Sequence, residues 1–109
     1  MSVDADRLVE VIRLIVDSDA RCRELGAEKA TDRVSEYSGD DVAVVASILS
    51  LCASCERDTS ALEAQLNALL GLGASGWLQT ENMRRLHNID RETLPEPLGE
   101  YIDDLLETD

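Results

Sequence analysis

At 109 residues the chain has the length of one domain, and we expect a single domain over residues 1–109 with its own apolar core. An apolar fraction of 44% excludes disorder by composition, and the absence of phenylalanine and of alternating strand-like runs favours an all-α fold. The 23 acidic and 10 basic residues give a net charge of −13, which disfavours binding to nucleic acid or anionic membranes and favours a basic protein as partner.

The first part of the chain predicts one long and one short helix. The long helix covers about residues 4–24, begins at Asp4 as N-cap and ends at Gly26. Its apolar stripe is formed by Leu8, Val11, Ile12 and Ile15, and is extended by Cys22 and Leu25. The short helix contains Ala27, Ala30, Val34 and Tyr37, and Gly39 is predicted to be its C-cap.

A third helix is predicted from Asp40 or Asp41 to Cys55, without any charge between Asp41 and Glu56. One apolar stripe contains Val42, Val45, Leu49 and Cys52, and a second contains Val44, Ile48 and Leu51. Because a helix that is apolar on most of its circumference is usually central, we expect this one to be the most buried element of the fold.

Three further helices are predicted in the rest of the chain. The fourth begins with a capping box of Ser60 and Glu63 and ends at the glycines of "GLGASG". The fifth covers Thr80 to His87, and the sixth runs from about Pro97 to Glu107. Their inward residues are Leu62, Leu66, Leu69, Leu70, Met83, Leu86, Leu98, Ile102 and Leu105, with Trp77 and Leu78 leading into the fifth helix. The expected architecture is five or six antiparallel helices, stacked as HEAT-like pairs or packed as a compact bundle.

Cys52 and Cys55 have the CxxC spacing of zinc and redox sites. With Cys22 and His87 they are the only Cys and His ligands in the sequence, and no second CxxC pair completes a zinc site. A redox pair favours a helix N-terminus, whereas these cysteines lie near a predicted C-terminus. We therefore predict that they pack in the core, that the chain holds no metal or other cofactor, and that it is not an enzyme.

The segment from Asp90 to Asp109 has eight acidic residues and one arginine, Arg91. Steps of three and four place Glu96, Glu100, Asp103 and Glu107 on one face of the sixth helix. A solvated acidic face is one interpretation, and a docking face for a basic partner is the other. The candidate partner-binding residues are Glu92, Glu96, Glu100, Asp103, Asp104 and Glu107.

The stretches "SLCASC…ALEAQLNALLGL" and "IDRETLPEPLGEYIDDLLE", in a small acidic helical chain with nine arginines and one lysine, resemble immunity proteins of polymorphic toxin systems from actinobacteria. The resemblance implies a cytoplasmic binder that neutralises a cognate toxin and has no catalysis of its own. The start "MSVDADRLVEV" is not typical of a signal peptide, and no run is long enough to span a membrane. The alternatives are a chaperone or adaptor, such as an anti-sigma-like regulatory protein, and a metal-binding or redox domain.

Overall fold

The computed structural model describes residues 5–32 and 34–107, and every regular element within them is helical. The α-helices are α1 (Ala5–Ile15), α2 (Ala20–Ala30), α3 (Gly39–Cys55), α4 (Thr59–Gly73) and α5 (Glu96–Glu107). Three 3₁₀ segments, Val34–Glu36, Thr80–Asn88 and Arg91–Thr93, lie between them. The prediction of an all-α fold is confirmed.

The single long helix predicted over residues 4–24 is wrong, because the chain turns between α1 and α2. The carboxylate of Asp17 accepts a hydrogen bond from the amide of Asp19 at 2.8 Å, and Asp19 accepts one from the amide of Arg21, also at 2.8 Å. Asp19 is thereby the N-cap of α2. Aspartate side chains often accept hydrogen bonds from backbone amides in this way at turns and caps. Here these bonds stabilise a turn after α1, although the apolar stripe continues beyond it. The predicted cap Asp4 lies outside the described residues.

Gly26 does not end a helix but lies within α2, where the helix crosses α1. A β-carbon built at this position would lie 2.6 Å from the backbone nitrogen of Ile15 and 2.7 Å from Cβ of Leu14. Glycine is therefore required by the close approach of the two helices and not by a turn. Ala27 and Ala30 of the same helix are also fully buried.

The prediction that Gly39 caps a preceding helix is also wrong, since Gly39 is the first residue of α3. Ser38 is the N-cap: its Oγ accepts from the amide of Asp41 at 3.1 Å, and the carboxylate of Asp41 accepts from the amide of Ser38 at 3.0 Å. This capping box satisfies two amides that the first turn leaves unpaired. Above this end of α3, the half-exposed ring of Trp77 lies beside Gly39.

Helix α3 ends at Cys55 as predicted and begins at Gly39, one or two residues before the predicted start, but it is not the most buried element. One of its faces is in the core, whereas Val44 and Leu51 on the other face are 44% and 45% exposed. The buried residues of α4 outnumber those of α3 and include Leu62, Gln65, Leu66, Leu69 and Leu72. The neighbours of α3, namely α1, α4 and the 3₁₀ helix Thr80–Asn88, cover only part of its circumference.

The C-terminal half follows the prediction with two differences. Helix α4 begins earlier than the predicted Ser60 capping box, because Asp58 is the N-cap and accepts from the amide of Ala61 at 2.9 Å. The predicted fifth helix is a 3₁₀ helix, although Met83 and Leu86 are buried as expected. Helix α5 buries the stripe of Leu98, Ile102 and Leu105 as predicted.

A single apolar cluster joins all five α-helices and the 3₁₀ helix Thr80–Asn88. Helix α2 packs on α1 and α4, α3 packs on α4 and the 3₁₀ helix, and α5 packs on α4 and the same 3₁₀ helix. This arrangement is a compact helical bundle. None of the described helices is both long and apolar enough to cross a membrane.

Candidate functional site

The candidate site is the acidic face of α5, formed by Glu96, Glu100, Asp103, Asp104 and Glu107. At about 100° per residue, these positions fall within an arc of about 100° whose centre is opposite the buried stripe of the same helix. Glu96, Glu100 and Asp104 are exposed, and Asp103 is half-exposed. Burial of the apolar stripe against α4 and the 3₁₀ helix therefore fixes the direction in which these carboxylates point. Helix α5 includes Glu107, but its side chain lies outside what the structure describes.

Glu92 is not part of this helical face. It lies in the 3₁₀ turn Arg91–Thr93, is exposed, and donates its amide to the carboxylate of Asp90 at 3.1 Å. The sequence also did not predict that Arg91 forms an ion pair with Asp103. The two residues are twelve positions apart, so no local spacing in the sequence indicates this pair. As a result Asp103, one of the predicted binding carboxylates, already has a cationic partner within the chain.

A second polar cluster, which the sequence analysis missed, joins α2 to the connection between α3 and α4. The carboxylate of Glu56 accepts two hydrogen bonds from Arg23, one from Nε at 2.7 Å and one from the terminal guanidinium at 2.8 Å. Gln65 Nε2 donates to the same carboxylate at 2.9 Å. Arg23 also donates to the carbonyl oxygens of Asp17 and Ser18, both at 2.9 Å. This cluster ties the α1–α2 turn, α2, the α3–α4 connection and α4 together.

The Glu56 side chain is 1% exposed, whereas that of Arg23 is 22% exposed. Burial alone raises the pKa of Glu56, but hydrogen bonds from Arg23, the Asp58 amide and Gln65 outweigh it and lower the pKa from its ordinary 4.5 to about 2. The carboxylate is therefore fully ionised at neutral pH. The hydrogen bonds that Glu56 accepts all come from other residues of the chain, so the cluster stabilises the fold.

The cysteines are all free thiols. Cys22 and Cys52 are half-buried, but Cys55 is exposed, so the prediction that both cysteines of the CxxC pair pack in the core is wrong for Cys55. Burial, followed by Cys55 and Glu56, raises the pKa of the Cys52 thiol, which disfavours the reactive thiolate. His87, the one histidine of the sequence, is exposed near the end of the 3₁₀ helix Thr80–Asn88.

Over residues 5–32 and 34–107, no group of three or more His, Cys, Asp or Glu side chains is placed to hold a metal ion. Comparison with protein-family models, curated proteins and solved structures found no match. Geometry and charge on this chain are therefore the grounds for a functional proposal.

Proposed function

We propose that the chain is an immunity protein that binds and neutralises a bacterial toxin domain through the acidic face of α5. The observation that carries the proposal is the arc of exposed carboxylates on a helix whose other side is anchored in the core. The resemblance of the sequence to immunity proteins is the reason for proposing a toxin domain as the class of partner. In this role the chain acts in the cytoplasm, has no catalytic activity, and binds neither nucleic acid nor a membrane.

The acidic face would act first on the rate of association. A net charge of −13 attracts a basic surface over a distance, and a concentrated acidic face orients it. Such steering raises association rates by about 10- to 1,000-fold at low salt, and it weakens as salt screens the charges. Like charges at spacings of three and four also disfavour the isolated helix by about 0.2–0.5 kcal/mol per pair, a penalty that a bound basic surface would relieve.

A charge-reversal pair tests this proposal. Glu96→Lys with Glu100→Lys reverses two carboxylates of the acidic face, one helical turn apart. The matched control is Glu24→Lys with Glu28→Lys, which has the same spacing and charge change but lies on α2, a helix that packs on α1 and α4. Reversal of Glu96 removes a favourable charge from the first turn of α5 and costs about 0.3–1 kcal/mol, so thermal melts must accompany the binding assay.

The assay is co-expression with the product of the adjacent gene, followed by co-purification and measurement of cell growth. We expect the unmodified chain and the α2 control to co-purify and to protect the cells. We expect the α5 variant to lose most of both properties while it remains folded. Equal protection by both variants would show that the acidic face is not the binding site.

A chaperone or adaptor is the second candidate function, and the outer face of α3 favours it. Val44, Leu51 and Trp77 are about half exposed, and Ile48 is partly exposed between the first two. Exposed apolar residues on one helical face can receive an apolar segment of another protein. Val44→Ser with Leu51→Ser should abolish binding in this case, whereas it should leave binding through the α5 face unchanged.

A further inference from the structure

A groove of about 410 Å³ lies between α5 and residues 86–91, which include the end of the 3₁₀ helix Thr80–Asn88 and the turn that follows it. Its lining includes three apolar residues: Leu86 is buried, and Ile89 and Leu106 are half-buried and pack against the core. Its polar side is lined by His87, Asp90, Arg91 and Asp103. Because Asp103 belongs to both the groove and the acidic face, the two form one continuous surface.

The ion pair between Arg91 and Asp103 lies on the wall of this groove. Both side chains remain about half exposed, at 47% and 49%. An ion pair this exposed contributes little to stability, because water and salt screen it, and it can exchange for another cation. Arg91 is therefore placed to be displaced without disturbing the core.

We infer that this groove receives an apolar side chain of a basic partner protein, and that a lysine or arginine of the partner replaces Arg91 as the counter-ion of Asp103. The inference rests on the proposed function, because it adds an anchor point to the same acidic face. Protein interfaces usually combine a buried apolar or aromatic anchor with a charged rim. Here the floor of Leu86, Ile89 and Leu106 supplies the first, and the acidic face supplies the second.

Charge complementarity favours this occupant over a second copy of the chain. Two copies with a net charge of −13 repel each other, and this surface is among the most acidic parts of the sequence. A basic partner that follows the carboxylates of Glu100 and Asp103 comes directly to the groove. An apolar side chain beside its cationic residue would then replace water over the apolar floor.

Two short lysine-rich peptides of equal length and charge test the inference. One has leucine at its centre and the other has serine, and each is titrated into the isotope-labelled chain while NMR follows the methyl groups of Leu86, Ile89 and Leu106. We expect the leucine peptide to bind about tenfold more tightly and to shift these methyl signals, because burial of one leucine contributes at least that factor.

The other outcomes separate the inference from the proposed function. Equal affinity of the two peptides, with shifts confined to the acidic face, would overturn the anchor groove but keep the acidic face as a docking site. No binding of either peptide at millimolar concentration would overturn both.

Arg91→Ala provides a second measurement, with Arg84→Ala as its control. Each variant removes one exposed arginine, so the net charge changes equally, but only Arg91 pairs with Asp103. We expect Arg91→Ala to bind the leucine peptide several-fold more tightly than Arg84→Ala does, because Asp103 is then available. Equal affinity of the two variants would show that Arg91 does not compete with the partner's cation.

Discussion

Replacement of Arg23 by alanine leaves the carboxylate of Glu56 buried without a counter-ion. The side chain of Glu56 is 1% exposed, so water cannot take the place of the guanidinium without opening the structure. Removal of one partner from a buried ion pair costs about 3–5 kcal/mol. The variant also loses the hydrogen bonds of Arg23 to the carbonyl oxygens of Asp17 and Ser18, which hold the α1–α2 turn.

The lowered pKa of Glu56 gives a similar free energy for all the interactions that stabilise its ionised form, of which the hydrogen bond from Arg23 is the largest. A fall from 4.5 to about 2 corresponds to about 3 kcal/mol of stabilisation of the ionised form. Because domains of this size are stable by about 5–15 kcal/mol, Arg23→Ala should remove a large part of the free energy of unfolding. Urea denaturation followed by far-UV circular dichroism at neutral pH measures the loss. Arg21→Ala, an exposed arginine of the same helix, should change stability by less than about 0.5 kcal/mol.

The dependence on pH has a defined direction. Since the pKa of Glu56 is about 2 in the folded chain and 4.5 ordinarily, its contribution is fully present above pH 4.5 and is lost as the pH falls towards 2. Comparison with Glu56→Gln isolates this residue from the other carboxylates. The difference in free energy of unfolding between the two proteins should therefore shrink from neutral pH to pH 2. A difference that is the same at all pH values, or a loss below about 1 kcal/mol in Arg23→Ala, would refute the assigned role of the ion pair.

Three further predictions concern packing and the thiols. Gly26→Ala should destabilise the chain by about 1–3 kcal/mol because its β-carbon meets the backbone of α1. The control Gly99→Ala, with open space around the new β-carbon, should be neutral or stabilise α5 by up to about 1 kcal/mol. Equal shifts of the melting temperature in the two variants would contradict the close helix crossing. Leu49→Ala should lower the free energy of unfolding by about 2–5 kcal/mol in urea denaturation, since its side chain is fully buried, and a loss under about 1 kcal/mol would place it outside the core. Metal analysis of the purified chain should find no stoichiometric zinc, and Cys52→Ala with Cys55→Ala should destabilise the fold only modestly. One equivalent of zinc in the unmodified chain that is lost in the double variant would overturn this interpretation.

Features carried by local periodicity were predictable from the sequence. The extent of α3 was predicted to within two residues, and the inward residues Met83 and Leu86 and the buried stripe of α5, which follow from apolar spacing, are confirmed. The same spacing identified the acidic face, because carboxylates that alternate with a buried stripe must lie on the other side of the helix.

Features that depend on contacts between distant residues were not predictable in this way. Gly26 has the sequence signature of a helix end, but its role is set by the backbone of α1. Arg23 and Glu56 are 33 positions apart, and Arg91 reaches Asp103 only after the chain has turned into α5. The exposure of Val44 and Leu51 likewise depends on which side of α3 its neighbours occupy, and apolar content alone does not specify that side.

Stopped-flow measurement of association with the adjacent gene product, at low and at physiological salt, tests the role of the acidic face most directly. We expect the unmodified chain to associate rapidly at low salt and much more slowly at physiological salt. The variant Glu96→Lys with Glu100→Lys should associate about tenfold more slowly at low salt, and its rate should depend less on salt. The α2 control, Glu24→Lys with Glu28→Lys, should stay close to the unmodified chain. Equal rates for both double variants at both salt concentrations would contradict a docking role for the α5 face.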